Sequence, residues 1–363
     1  MKKITILLLC AIFSAFCLSG CKEKKQEKPK TEMSDKEKMA AIETFKTKAM
    51  ESLASGDADF LNNAVDTVAL KTLVAKKTSA LEIGAGMEIF HGNCRYGDYL
   101  LSVDQTGGSV RFDTCYTQNG RYHLVLRTYD DRGSIMFDDL LLNFKKGKVV
   151  IEDAFLYSIS ALLSDKIASE VTLNTFMTID NPTEDARNMI LVTALCQSGQ
   201  YSRMWELMQD KKAQLLQFTD FYKFYPIGLY ECSRNFVADL ENLRNDGADE
   251  RFILYHKLCY FIGQADTDNA FLTITQLINH TGDDPIFWVL YAQTLATAKN
   301  YKDALIAYNT AKQGMGYIWD IWTGELACYK RLHETETFQS CLNAGKELFG
   351  LTQEECEKIG DKM

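Results

Sequence analysis

The sequence predicts an α+β domain, helices followed by an antiparallel sheet, that gives way to an all-α run of helical repeats. Three observations predict this. The apolar period is helical to about residue 76, becomes strand-like between 97 and 157, and is helical again from about 166 onward. The strand-like segments are separated by turns too short for a crossover, so consecutive strands must run antiparallel. In the last third, a shift of 34 residues superposes Leu254 on Trp288, Leu258 on Ala292, Phe261 on Leu295, Ala270 on Ala304, Ile274 on Tyr308 and Leu277 on Ala311.

The chain starts with Lys2 and Lys3, fifteen uncharged residues from Ile4 to Leu18, and the small pair Ser19-Gly20. That is a secretory signal layout, and it is shorter than the roughly 20 apolar residues a membrane span needs. Leu18-Ser19-Gly20-Cys21 resembles the lipobox of bacterial lipoproteins. The resemblance implies cleavage before Cys21 and acylation of that cysteine with three fatty chains. At about 0.8 kcal/mol per buried methylene, three chains hold a protein on a bilayer permanently. The next residues, KEKKQEKPKTE, lack apolar side chains and bury nothing, so they are expected to form an extended spacer. The expected organisation is a signal peptide over 1–20, a lipidated tether over 21–33, an α+β domain over 34–165 and helical repeats over 166–363. The expected location is the bacterial cell envelope, at the outer membrane, with either face open.

Within 34–165, Ser34 and Glu37 have the spacing of a capping box and open a helix carrying Met39, Ile42, Phe45, Ala49 and Leu53 that stops at Gly56. A second helix is expected over 59–76, with Phe60, Ala64, Val68 and Leu73 on its apolar face. Strands are expected at YLLSVD (99–104), VRFDTCYT (110–117), YHLVLRTY (122–129), IMFDDLLLNF (135–144) and VVIEDAFLY (149–157). Turns fall at Thr106-Gly107-Gly108, Asn119-Gly120, Asp131-Arg132-Gly133 and Lys146-Gly147. This element order resembles the cone-shaped fold shared by ketosteroid isomerase and nuclear transport factor, which implies an apolar pocket. A cystatin-like single helix on a sheet fits the same order.

Within 166–363, the stretch DPIFWVLYAQTLATAKNYKDALIAYNTAKQG from Asp284 resembles a tetratricopeptide repeat. Trp288 opens its first helix, Ala292 is small where two helices cross, and Tyr301, Ala304, Tyr308 and Ala311 follow on the second. It departs from the family at Tyr291, where leucine is usual, and at Gly316, where proline is usual. Further hairpins are expected near 185–213, 217–245, 250–280 and 318–348, and Thr352 with Glu355 opens a charged last helix. A non-repeating helical bundle is the alternative. The resemblance implies a concave groove lined by first helices, here Phe252, Tyr255, Cys259, Ile286, Val289 and Gln293, that takes a protein or peptide partner.

The 363 residues, 46% hydrophobic and 11% aromatic, suffice for about two cored domains. Loss of Lys2 and Lys3 with the leader takes the net charge from −9 to −11, and an acidic body with no basic stripe excludes nucleic-acid binding. Of eleven cysteines, Cys10 and Cys17 leave with the leader, Cys21 is the lipidated one, and Cys196, Cys232, Cys259, Cys328 and Cys341 sit in helical apolar patterns as buried free thiols. Cys94 and Cys115 lie in turn-rich sequence and are the one candidate disulfide, with Cys115 alternating with Arg111 and Asp113 on the polar face of its strand. No catalytic set emerges. His91 and Cys94 lack a second pair at metal spacing, so no metal is expected, and Gly84-Ala85-Gly86 fails the dinucleotide pattern, so no cofactor is expected. His123 has no nameable partner, and of the adjacent Asp138 and Asp139 one points inward. The leading expectation is therefore a non-enzymatic, membrane-anchored scaffold. The alternatives are a surface glycan-binding lipoprotein and a small-ligand or enzymatic role for the N-terminal pocket. Cells fed a palmitate analogue should label the wild-type protein and leave Cys21→Ala unlabelled; equal labelling of the two would refute the anchor.

Overall fold

The computed structural model describes residues 33–106, 108–130, 134–178 and 183–362. The expected signal peptide, Cys21 and the spacer lie outside the described residues, as do Gly107 and Asp131–Gly133 of two expected turns. By internal contacts the chain forms two units, 1–43 and 44–363. The described part of the first unit is the start of α1 (Asp35–Ala54), where the capping box forms as its spacing requires. Glu37 accepts from the Ser34 amide at 2.7 Å, and the Glu37 amide donates to Ser34 Oγ at 3.3 Å.

All remaining elements belong to the second unit. After α1 ends at Gly56, in the left-handed region with φ 76°, the expected 59–76 helix is two helices, α2 (Asp59–Ala64) and α3 (Thr67–Ala75). Val65 leaves the helix to bridge Ile151, and Asp66 caps α3 by accepting from the Ala69 amide at 3.2 Å. The break rotates Val68 off the expected apolar face and leaves it exposed. Two further helices follow, α4 (Gly84–Cys94) and α5 (Tyr96–Gln105). The second replaces the strand expected over 99–104: Leu100 and Val103, three residues apart, are both buried, as one helical face requires.

The sheet is an antiparallel meander, β1 (Ser109–Gln118), β2 (Arg121–Tyr129), β3 (Ile135–Lys145), β4 (Lys148–Leu156) and β5 (Ala161–Leu162), paired in chain order. Asn119-Gly120 and Lys146-Gly147 have positive φ at both central positions, the geometry that matches strand twist in a two-residue hairpin. A bulge between Phe112 and Cys115 turns Cys115 from the expected polar face to the face of Phe112, opposite Leu124. Cys94 ends a helix instead of sitting among strands, and both side chains are thiols, so the expected disulfide is not formed.

Helix α6 (Leu163–Thr178) runs through the expected domain boundary at 165 and packs back on α3, α4 and β4. Beyond it lie hairpins of α7 (Glu184–Gln197) with α8 (Tyr201–Asp210), then the single turn α9 (Lys212–Leu215), and α10 (Thr219–Cys232) with α11 (Phe236–Asn242). They continue as α12 (Glu250–Gly263) with α13 (Thr267–Thr281), α14 (Ile286–Thr297) with α15 (Tyr301–Met315), α16 (Trp319–Arg331) with α17 (Thr335–Phe349), and the last helix α18 (Gln353–Lys362). Stacking is close: a Cβ on Gly345 would lie 2.0 Å from the Trp322 ring, so only glycine lets α17 seat there. None of the described helices is long and apolar enough to cross a membrane.

Strand alternation decides what each sheet face meets. Leu124, Leu126, Leu140 and Leu142 are buried on one face, where Phe112 meets Phe45 of α1 at 5.9 Å between ring centroids. Val125, Tyr129, Ile135 and Phe137, on the other face, share one apolar cluster with Leu254, Leu258, Phe287 and Val289 of α12 and α14. Phe137 stacks on Phe287 at 5.5 Å. The sheet is thus the middle layer between the N-terminal helices and the hairpins.

One ion pair crosses this second interface entirely out of water. Arg127 of β2, 2% exposed, donates from Nε to Asp284 Oδ2 at 3.0 Å, and Asp284, 0% exposed, also accepts from the Ile286 amide at 2.8 Å at the start of α14. Arg127 Nη1 donates to Ser109 Oγ at 2.5 Å. Burial and the neighbouring Asp284 charge push the Asp113 carboxyl up to about 6, so the cluster tolerates one full negative charge better than two. Removing one partner of a buried pair strands the other. Arg127→Met should therefore cost about 3–5 kcal/mol in urea unfolding, and the double variant Arg127→Met/Asp284→Leu should cost less than the single one.

Candidate functional site

A cavity of about 580 Å³ lies between the N-terminal helices, the sheet and the hairpins. Helix α5 supplies Tyr96 and Tyr99, β3 supplies Met136 and Asp138, and the segment after β4 supplies Ser158 and Ile159. Helix α6 supplies Leu163, Lys166 and Glu170, α10 supplies Asp220 and Lys223, and α12 supplies Tyr255 and His256. Such a volume holds a drug-sized organic molecule, and a mainly apolar wall with a few polar groups is the usual lining of a ligand site.

The pleat of β3 places the adjacent carboxylates in opposite environments. Asp139 faces the hairpins and is saturated: it accepts from Tyr116 at 2.5 Å and from Arg251 Nη1 at 2.7 Å, and lies 3.1 Å from His123 Nδ1. Tyr116 stacks on His123 at 4.8 Å, and the Arg251 guanidinium lies 3.9 Å over Phe155. His123 thus has a carboxylate partner that the sequence did not reveal, inside a network that ties sheet to α12. Asp138 faces the cavity with only 8% of its surface exposed. Its Oδ2 accepts from the Tyr96 hydroxyl, and it has no other hydrogen bond and no ion pair among the described residues. Burial, opposed by the Tyr96 hydrogen bond and aided by the Asp139 charge, pushes its carboxyl up to about 6.

Two of the other cations of the wall are paired. Lys166 bonds Glu170 at 2.7 Å and Asn93 at 2.8 Å, and Arg95 pairs with Asp98. His256 shares a proton with the Ser158 carbonyl at 3.2 Å, and burial lowers it to about 4, so at neutral pH it is an uncharged imidazole donating from Nε2. No group of three or more His, Cys, Asp or Glu side chains among the described residues is disposed to hold a metal ion.

The six residues expected to line a partner groove fare differently. Phe252, Ile286 and Val289 are fully buried, Ile286 and Val289 beneath the sheet and Phe252 against Tyr222. Tyr255 is spent on the sheet, donating to the Ile135 carbonyl at 2.6 Å while its ring lines the cavity. Gln293 is half-buried, and Cys259 alone is exposed. The open groove is therefore corrected: the chain's own sheet occupies it, because the Ile135 and Phe137 face is too apolar to leave in water. The chain matches no family, no curated protein and no solved structure.

Asp138 titrates near 6 in the folded chain against 3.8 for an ordinary aspartate, so the folded state holds its proton more tightly than the unfolded state. Stability from this group is therefore full below about pH 4 and is lost as pH rises through 6, a loss of about 3 kcal/mol at neutral pH. Asp138→Asn keeps an acceptor for Tyr96 and removes the charge. It should unfold at higher urea than wild type at pH 7, with the difference shrinking toward pH 4; a variant less stable than wild type at pH 7 would contradict the geometry.

Proposed function

We propose that this protein is a lipid-anchored envelope protein whose binding element is the cavity between sheet and hairpins, and that it takes up a small, largely apolar ligand there. The observation that carries the reading is the pair of facts about α12 and α14: their concave face is filled by the sheet, while the space beside it is left as a 580 Å³ cavity. Repeats that hold a peptide need that face open. Here it serves as the wall of a pocket, and the small-ligand reading displaces the scaffold. The lipobox and spacer support placement at the outer membrane, where a tethered carrier or sensor meets apolar compounds leaving or entering a bilayer.

The test is a ligand-observed NMR screen of small aromatic and aliphatic fragments against the full chain held in lipid nanodiscs, with empty discs as control. Met136→Trp, which adds a ring to a half-buried position on the cavity wall, serves as the blocked form. Fragments should bind wild type and lose at least about tenfold in affinity to Met136→Trp, with unchanged helical circular dichroism. Identical hits on the two proteins would overturn the cavity as the site.

A further inference from the structure

Resting on the cavity reading, we infer that the ligand carries a cationic amine, seated on Asp138 and enclosed by the rings of Tyr96, Tyr99 and Tyr255. Asp138 is the one carboxylate of the sheet wall, it is more than nine-tenths buried, and only one of its oxygens has a partner, the Tyr96 hydroxyl. Asp138 lines the cavity, and among the described residues the Tyr96 bond to Oδ2 is its one hydrogen bond. An asparagine would keep the Tyr96 bond without a desolvated charge, so an aspartate at this place is a group whose charge is available to a ligand.

Asp139 is the contrast. One residue along the strand, the same side chain type is met by an arginine, a tyrosine and a histidine. The fold brings Arg251 of α12 to Asp139, and among the described residues no cation pairs with Asp138. The cations that line the far wall face other carboxylates, Lys166 paired with Glu170, Arg95 with Asp98, and Lys223 acting through its charge on Asp220. What remains for Asp138 is a cation brought by the ligand.

The surroundings fit such a group better than a hydrogen-bonded neutral one. Tyr96 and Tyr99 approach at 6.2 Å between ring centroids, and Tyr255 lines the same space. Aromatic faces attract ammonium and quaternary ammonium groups through their quadrupoles, most strongly where water is excluded. The hydroxyls of Tyr99 and Tyr255 are engaged by the protein: that of Tyr99 lies 3.3 Å from Thr128 Oγ1, and that of Tyr255 donates to the Ile135 carbonyl. The rings are thereby left as apolar, electron-rich walls. Met136, Leu156 and Ile159 continue the wall for the uncharged remainder of the molecule.

The experiment compares three probes of one shape on the nanodisc-held full chain: benzyltrimethylammonium, its uncharged carbon isostere neopentylbenzene, and the anion 3-phenylpropionate. The cation should bind at least about tenfold more tightly than the isostere, and Asp138→Asn should abolish that preference while leaving the isostere's affinity unchanged. Equal binding of cation and isostere, a preference for the anion, or a cation preference that survives Asp138→Asn each overturns the inference and leaves the cavity reading standing. If none of the three probes, nor any fragment of the wider screen, binds in a manner sensitive to Met136→Trp, the cavity reading falls and the inference falls with it.

Discussion

The Arg127–Asp284 pair is the constraint around which the rest of the molecule is arranged, because two buried charges are tolerable only if neither can leave the other. Arg127 comes from the second strand and Asp284 from the start of α14, 157 residues later. Holding them at 3.0 Å fixes the hairpins against the sheet, and Asp284 also anchors the first turn of α14 through the Ile286 amide. Around the pair, Val125, Tyr129, Ile135 and Phe137 of β2 and β3 share an apolar cluster with residues of α12 and α14. The fold is therefore not two cores joined by a linker. It shares one apolar cluster between sheet and repeats.

That sharing has a functional consequence. A stack of helical hairpins with a free concave face is a surface for other chains. The same stack closed over a sheet is a lid, and where its first helices diverge from the N-terminal helices a cavity is left. The pleat of β3 then distributes two neighbouring carboxylates between structure and site. Asp139 joins the network that binds sheet to α12, and Asp138 enters the cavity without a counter-ion. The cost of desolvating Asp138 is of the kind that folds retain at binding sites and discard elsewhere.

Much of the fold was legible where local chemistry decides it. The Ser34 and Glu37 capping box, the Asn119-Gly120 and Lys146-Gly147 turns and all five hairpins carry their signals within a few residues, and each forms where it was expected. The errors lie where a short pattern is ambiguous or a distant residue intervenes. YLLSVD fits a strand by composition, yet Leu100 and Val103 serve a helix. The helix expected over 59–76 breaks at Val65 because Ile151, 86 residues away, offers it a bridge. The bulge that reverses Cys115 has no glycine to announce it. The site was the least legible part: Tyr96, Asp138 and Tyr255 are far apart in sequence, and nothing local tells Asp138 from Asp139 beyond their opposite faces.

The claim that sheet and hairpins share one core is tested most directly by native-state hydrogen exchange across a urea series, following amides of β2 and β3 beside those of α12 and α14. A shared core requires the two sets to converge on a single opening free energy with a single urea dependence. Sheet amides that open at markedly lower free energy while α12 and α14 stay protected would show two independent cores, and the account of the filled groove and its cavity would fail.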